Sequence, residues 1–181
     1  MKTIILLADG FEEVEALTPL DVLRRAGVDV DLVSIMEREV VVGAHSVPVM
    51  ADCLFENIDK DNVGMVIVPG GMPGAAHIDM HEGVGELITR LSNEGRPLAA
   101  ICAGPMVFGR RGLLKGRRAT CYPGFEKYLE GAEYTSRLVE RDGNFITGKG
   151  PGAAMDFAFE ILTLLMGADV AAEVKKGMIV G

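Results

Sequence analysis

The sequence contains no tryptophan, only three cysteines and three histidines, and an aromatic content of 6%. An odd, small cysteine count argues against a disulfide framework and points to a reducing, cytoplasmic setting. Basic residues are outnumbered, with 18 Lys and Arg against 26 Asp and Glu, a formal net charge of -8 at pH 7. That balance argues against electrostatic binding of nucleic acid or of an anionic membrane. Long apolar runs are missing as well. Thr3–Leu7 gives way to Asp9 and is too short for a signal peptide. The charge-free stretch Gly64–Ile78 is broken by Pro69, Gly70, Gly71 and Pro73, so no membrane span is expected. No Gly-x-Gly-x-x-Gly follows the first apolar run, and His45, His77 and His81 have no paired cysteines at zinc spacing. No dinucleotide, other cofactor or metal is therefore expected. Repeats, low-complexity tracts and charge blocks are also lacking. What remains is 181 residues, 49% of them hydrophobic, read as one globular domain over residues 1–181.

Apolar runs of two types alternate along the chain. Thr3–Leu7, Val28–Ser34, Met65–Val68 and Leu98–Ile101 read as buried strands. Residues 12–26 read as a helix stopped by Gly27; either Thr18 caps a short helix with Pro19 first, or the helix starts near Glu12 and bends at Pro19. Val84–Asn93 and Ala153–Met166 are further helices, and another is expected from Ala103. Glu39–Val42 with Ser46–Met50 forms a predicted hairpin. Arg118–Cys121 reads as a strand, and Asp142-Gly143 turns a second hairpin between Leu138–Arg141 and Asn144–Thr147. Strands alternating with helices imply an α/β fold with a mostly parallel sheet covered on both faces. Ligands bind such sheets at the carboxyl ends of the strands.

Cys102 stands at such an end, between Leu98–Ile101 and the small residues Ala103-Gly104. This is the pattern of a nucleophile elbow with cysteine in place of serine, and a helix N-terminus beside it is expected to lower the thiol pKa. Packing as a small hydrophobe is the bland alternative. Glu12, Glu13 and Glu15 follow the first strand. The first two suit a solvated first helical turn, whereas Glu15 can face Cys102, where a nearby thiolate would raise its pKa. Gly70, Gly71 and Gly74 read as a tight turn whose N–H groups could also pair with that of Ala103 as an oxyanion hole. Gly148, Gly150 and Gly152 around Pro151 read as a turn. His77 and His81 read as a solvated pair, and Cys53 and Cys121 as packing residues.

Four segments in this order resemble the ThiJ/PfpI superfamily, and its DJ-one branch in particular: Gly10-Phe11-Glu12-Glu13-Val14-Glu15, Pro69-Gly70-Gly71, Ala100-Ile101-Cys102-Ala103-Gly104-Pro105 and Gly150-Pro151-Gly152. The resemblance covers essentially the whole chain. It implies a flavodoxin-like three-layer sandwich, a homodimer, a reactive and oxidisable Cys102, a protonated Glu15 beside it, and backbone donors from Gly71 and Ala103. It also implies a pocket lined by His45, Tyr122 and Arg25, the last near the subunit boundary. Three positions depart from the family. Ala103 replaces the histidine that follows the cysteine in the protease-like branch, which argues against a peptidase. Tyr122 and His45 stand where the DJ-one branch has a histidine and often an arginine; a phenol is a poor base near neutral pH.

The resemblance implies a cysteine-dependent, cofactor-independent glyoxalase or deglycase acting on small dicarbonyls such as methylglyoxal or on their glycated adducts. The alternative is a redox sensor or chaperone that responds through oxidation of Cys102 without efficient turnover.

Overall fold

The computed structural model describes residues 1–180. In chain order the strands are β1 (Lys2–Leu7), β2 (Val30–Ser34), β3 (Val40–Val42), β4 (Pro48–Met50), β5 (Cys53–Leu54), β6 (Val63–Val68), β7 (Leu98–Ile101), β8 (Arg118–Ala119), β9 (Glu133–Tyr134), β10 (Val139–Asp142) and β11 (Phe145–Gly148). The helices are α1 (Glu13–Arg25), α2 (Gly74–Met80), α3 (Glu82–Asn93), α4 (Pro105–Gly109), α5 (Ala154–Met166) and α6 (Ala168–Gly177). The central sheet has the order β10-β11-β7-β6-β1-β2-β5. Every pairing in it is parallel except β10 with β11, the hairpin turned at Asp142-Gly143.

Side-chain alternation along the strands builds the two faces. On β1, Ile4 and Leu6 join one core with Ile78, Leu87, Leu91 and Phe108, supplied by α2, α3 and α4. Ile5 and Leu7 point the other way, into a core with Leu23, Phe157, Ile161 and Leu162 from α1 and α5. The strands are buried on both sides, so they read as continuous apolar runs rather than alternating ones. The result is the flavodoxin-like three-layer sandwich. From β1 the chain adds β2 and β5 on one side and β6, β7 and β11 on the other. The direction reverses between β1 and β6, and the loops after these strands line a topological switch point.

Several elements differ from the sequence expectations. The helix over 12–26 runs without interruption from Glu13 to Arg25 with Pro19 buried inside it, so Thr18 is not its cap. Pro19 lacks the N–H that would bond the Glu15 carbonyl four residues back. The helix after Cys102 is only Pro105–Gly109, and the strand expected at Arg118–Cys121 shortens to two residues paired in parallel with Glu133–Tyr134. The segment Gly74–Met80, bracketed by glycines in sequence, is helical. His77 and His81 are not a solvated pair. Both are half-buried; His81 accepts the Val84 N–H on Nδ1 at 3.2 Å and packs edge-on against Phe55 at 4.9 Å. No helix among the described residues is long and apolar enough to cross a membrane.

Phe108 on α4 is fully buried and meets Phe145 of β11 edge-on, with ring centroids 5.7 Å apart. Phe108→Ala is expected to cost about 3–5 kcal/mol through lost burial and the cavity left behind. Urea unfolding followed by circular dichroism checks it as a drop in midpoint with an unchanged slope.

Candidate active site

Cys102 follows β7 directly and holds a backbone φ of +64°, a left-handed conformation rare for a residue with a side chain. Such strain persists only where the surroundings enforce it. Here they do so from three sides. The Cys102 N–H donates to the Gly148 carbonyl at the end of β11 at 2.9 Å, and its carbonyl accepts from Tyr122 N at 2.9 Å. Gly104 N closes the turn onto the Ile101 carbonyl at 2.8 Å. The side chain is thereby set at the carboxyl end of the sheet, 9% exposed. The N–H groups of Gly71 and Ala103 both act as hydrogen-bond donors to its sulfur.

Glu15 lies in the first turn of α1 and is fully buried. The Gly70 N–H donates to its Oε2 at 2.8 Å, while Oε1 is buried with no donor of good geometry. The carboxyl rests beside the Cys102 thiol. Two glycines make this approach possible. A Cβ on Gly70 would lie 2.6 Å from both the Cys102 Cβ and Glu15 Oε2. Gly71, with φ +85°, would place a Cβ 2.4 Å from Glu12 N and the Gly10 carbonyl oxygen. These residues look like turn punctuation in sequence; in the fold they are the floor between the two reactive groups.

The electrostatics of the pair oppose the expectation of a lowered thiol pKa. Burial, then the negative charge of Glu15, push the Cys102 thiol up to about 12, against the pull of the Gly71 and Ala103 N–H groups. α4 is too short, and the site too dry, for a helix dipole to reverse this. Burial also raises Glu15, to about 7, despite the Gly70 hydrogen bond, and the charge of Glu12 adds to the rise. Burial is the larger cause of the thiol's rise and the charge of Glu15 the second. Transfer of the thiol proton to Glu15 removes that charge and leaves a neutral carboxyl beside a thiolate that accepts two backbone N–H bonds. One proton serves both groups.

The remaining expected residues are placed differently. Tyr122 is 46% exposed at the mouth of the elbow. With Pro123, Leu138, Lys149, Pro151 and Ala153 it lines an open recess of about 300 Å³. Two walls of the recess continue directly from Tyr122 and Gly148, the residues bonded to the Cys102 backbone. Lys149 and Leu138 carried no signal in sequence, because β10 and β11 bring them here only through the hairpin. His45 sits at the tip of the β3–β4 hairpin and meets Glu13 rather than the thiol. Its N–H donates to Glu13 Oε1 and its Nδ1 to Oε2, both at 2.8 Å, with Glu12 Oε1 at 3.6 Å. These bonds raise the pKa of His45. For Glu13, burial pushes upward, but the His45 contacts prevail and lower it. Glu12, Glu13 and His45 bring ligand atoms within 4.8 Å of one another, and the His45–Glu13 hydrogen bonds account for that approach without an ion. Arg25 does not line the recess within the chain. It lies ten residues beyond Glu15 on α1, about 15 Å along the helix, where it pairs with Asp21 at 2.7 Å. Cys121 is fully buried and Cys53 half-buried, both as free thiols.

The sequence pattern described as the DJ-1/PfpI family matches residues 1–164. Protein DJ-1 homolog B of Arabidopsis thaliana is 37% identical over 175 residues, which is 96% of this chain but only 40% of that protein's length. A protein of Pyrococcus abyssi named a deglycase is 34% identical over 167 residues, covering 91% of this chain and 99% of that one. Among solved structures, the crystal structure of Drosophila melanogaster DJ-1beta superposes with a TM-score of 0.95 at 34% identity, covering 99% of this chain and 98% of that one.

The raised pKa of Glu15 sets a pH signature. Between its ordinary value of 4.5 and its folded value of about 7 the native state binds the proton that the unfolded state has lost. The stability from this group is complete below 4.5, falls as pH rises through 7, and is flat above, a loss on the order of 3 kcal/mol. In urea unfolding at pH 4.5 and pH 8, the wild type is expected to lose that much relative to Glu15→Gln. An unchanged difference between the two proteins would mean that Glu15 titrates normally.

Proposed function

The chain belongs to the DJ-1/PfpI family, and on that footing we propose that it is a cysteine-dependent, cofactor-independent glyoxalase or deglycase acting on methylglyoxal-type dicarbonyls or their adducts. The observation that carries this reading is the buried Glu15 carboxyl, raised to about 7, beside a strained Cys102 with two N–H donors on its sulfur. Cys102 gives its proton to Glu15 and attacks the aldehyde carbon. The carbon–sulfur bond forms as the carbonyl oxygen takes up negative charge near the Gly71 and Ala103 amides, then a proton. The Glu15 carboxylate next removes the hydrogen from that carbon and returns a proton to the neighbouring carbonyl carbon. The product is a lactoyl thioester. Water cleaves its carbon–sulfur bond, releasing lactate and restoring the thiol. Methylglyoxal plus water becomes lactate, with no external oxidant or reductant. On a glycated adduct the same attack ends with loss of the amine or thiol of the modified protein.

Ala103 after the cysteine, and the absence of a histidine from the residues described around the thiol, argue against a peptidase. The three free thiols suit a reducing compartment such as the cytoplasm. Exposed Val14, Val40, Val42, Val47 and Met50 on α1 and the neighbouring hairpin support a homodimer. Sedimentation equilibrium at twice the chain mass checks that assembly.

One observation favours the redox reading. Tyr122, not a histidine, is the residue bonded to the Cys102 carbonyl, so Glu15 is left without an imidazole to help activate water. Neutral Glu15 and the Gly71 and Ala103 amides would serve equally well as donors to a sulfinate formed by peroxide. Methylglyoxal consumption with lactate detection separates the two readings. Cys102→Ala is expected to fall to background and Glu15→Gln by at least about a hundredfold. Retained turnover in Cys102→Ala overturns the mechanism. No turnover in the wild type, with a gain of two oxygens confined to Cys102 after mild peroxide by intact mass, establishes the sensor instead.

A further inference from the structure

The recess beside the elbow is larger and more apolar than methylglyoxal requires. Its volume, about 300 Å³, is at the lower end of sites that enclose organic ligands of many heavy atoms. Leu138, Pro123, Pro151, Ala153 and the Tyr122 ring form its walls. Its one charged lining residue is Lys149. The lysine stem lies along the recess, and the ammonium is fixed at its edge, donating to Ser136 Oγ at 2.9 Å and to the Ser136 carbonyl at 3.2 Å. Among the described residues Lys2 alone of the lysines has a carboxylate within 4.0 Å, and Lys149 is the unpaired lysine that lines the recess. Every arginine has a carboxylate within 4.0 Å. Lys149 has none among the described residues, in a chain with a net charge of -8. A tethered cation without a carboxylate partner, at the edge of an apolar recess whose Tyr122 wall is hydrogen-bonded to the Cys102 carbonyl, is complementary to an apolar arm with an anionic end.

We propose, resting on the carbonyl chemistry assigned to Cys102 above, that this recess receives a carbonyl compound whose apolar arm ends in a carboxylate, and that Lys149 is the residue that selects for it. The aldehyde end meets Cys102, the arm lies between Leu138, Pro151 and the Tyr122 ring, and the carboxylate takes the ammonium hydrogen left free by Ser136. Ser136 is then a positioning residue: it aims the ammonium and does not touch the ligand.

Phenylglyoxal and 4-carboxyphenylglyoxal differ only in that carboxylate and test the assignment directly. In the wild type, kcat/KM is expected to be about tenfold higher for the carboxylated compound, a value in the range of one charge-assisted hydrogen bond. Lys149→Met is expected to erase the ratio, Lys149→Arg to keep it, and Ser136→Ala to keep most of it, since the cation survives loss of the hydroxyl. A ratio near one in the wild type, or one that persists in Lys149→Met, overturns the proposal. A second readout is independent of turnover. Benzoate, but not benzyl alcohol, is expected to slow alkylation of Cys102 by iodoacetamide in the wild type and not in Lys149→Met. If no dicarbonyl is consumed by the wild type, the glyoxalase reading fails while this protection still decides the recess: protection that depends on Lys149 upholds it, and none refutes it.

Discussion

A fully buried carboxyl pressed against a thiol is the constraint around which the active end of this molecule is built. Glu15 has no exposure and one good hydrogen bond, from Gly70, so its charge is poorly compensated. Burial raises the carboxyl to about 7, so near neutral pH it exists in both protonation states beside the thiol. Burial, which on its own would make the thiol inert, becomes useful because both groups are buried together. The contact also dictates backbone. Gly70 has to lack a side chain, β7 has to end in a left-handed residue, and α1 has to begin within a few residues of β1.

The three-layer sandwich supplies those conditions cheaply in structural terms. Parallel strands with double-sided burial put β1, β6, β7 and β11 side by side with all four of their exits at one edge. Four loops, each remote in sequence, therefore converge without any of them being long. The hydrogen bond that the Cys102 N–H donates to Gly148, and the one its carbonyl accepts from Tyr122, couple the thiol to the far hairpin as well as to its own strand. The same bonds place an apolar recess and one lysine next to the nucleophile. Reactive pair and recess are thus two products of one strand arrangement. This links the proposed chemistry to the size and charge of the molecule it would accept.

Charge is distributed to match. Each arginine has a carboxylate within 4.0 Å, and Glu13 is held by His45 at the hairpin tip. Glu12 is left close enough to Glu15 to push its pKa further up. His45 therefore belongs to the outer electrostatics of the site, through the acidic residues at the start of α1, rather than to its lining. Arg25, at the opposite end of the same helix, has no part in the recess of a single chain.

Local sequence pattern was enough for the layers, and it pointed to Cys102 and Glu15 as candidates. Continuous apolar runs separated by amphipathic stretches admit little besides a covered parallel sheet. A cysteine set between such a run and Ala-Gly is readable because the elbow is local, contained in a few consecutive residues. Glu15 stands eight residues past the end of the first strand, and the family resemblance, more than the local pattern, marks it as the partner of the thiol. What tertiary structure decided was everything that depends on non-local proximity. The direction of the Cys102 shift turned on a carboxylate 87 positions away in sequence and on burial, not on the short helix that follows. The place of His45 was set by hairpin packing, and that of Arg25 by the length of α1. Lys149 emerged only when the last hairpin closed against β7. Side-chain patterns encode which face of an element is buried; only the packed sheet specifies which loops then share one edge.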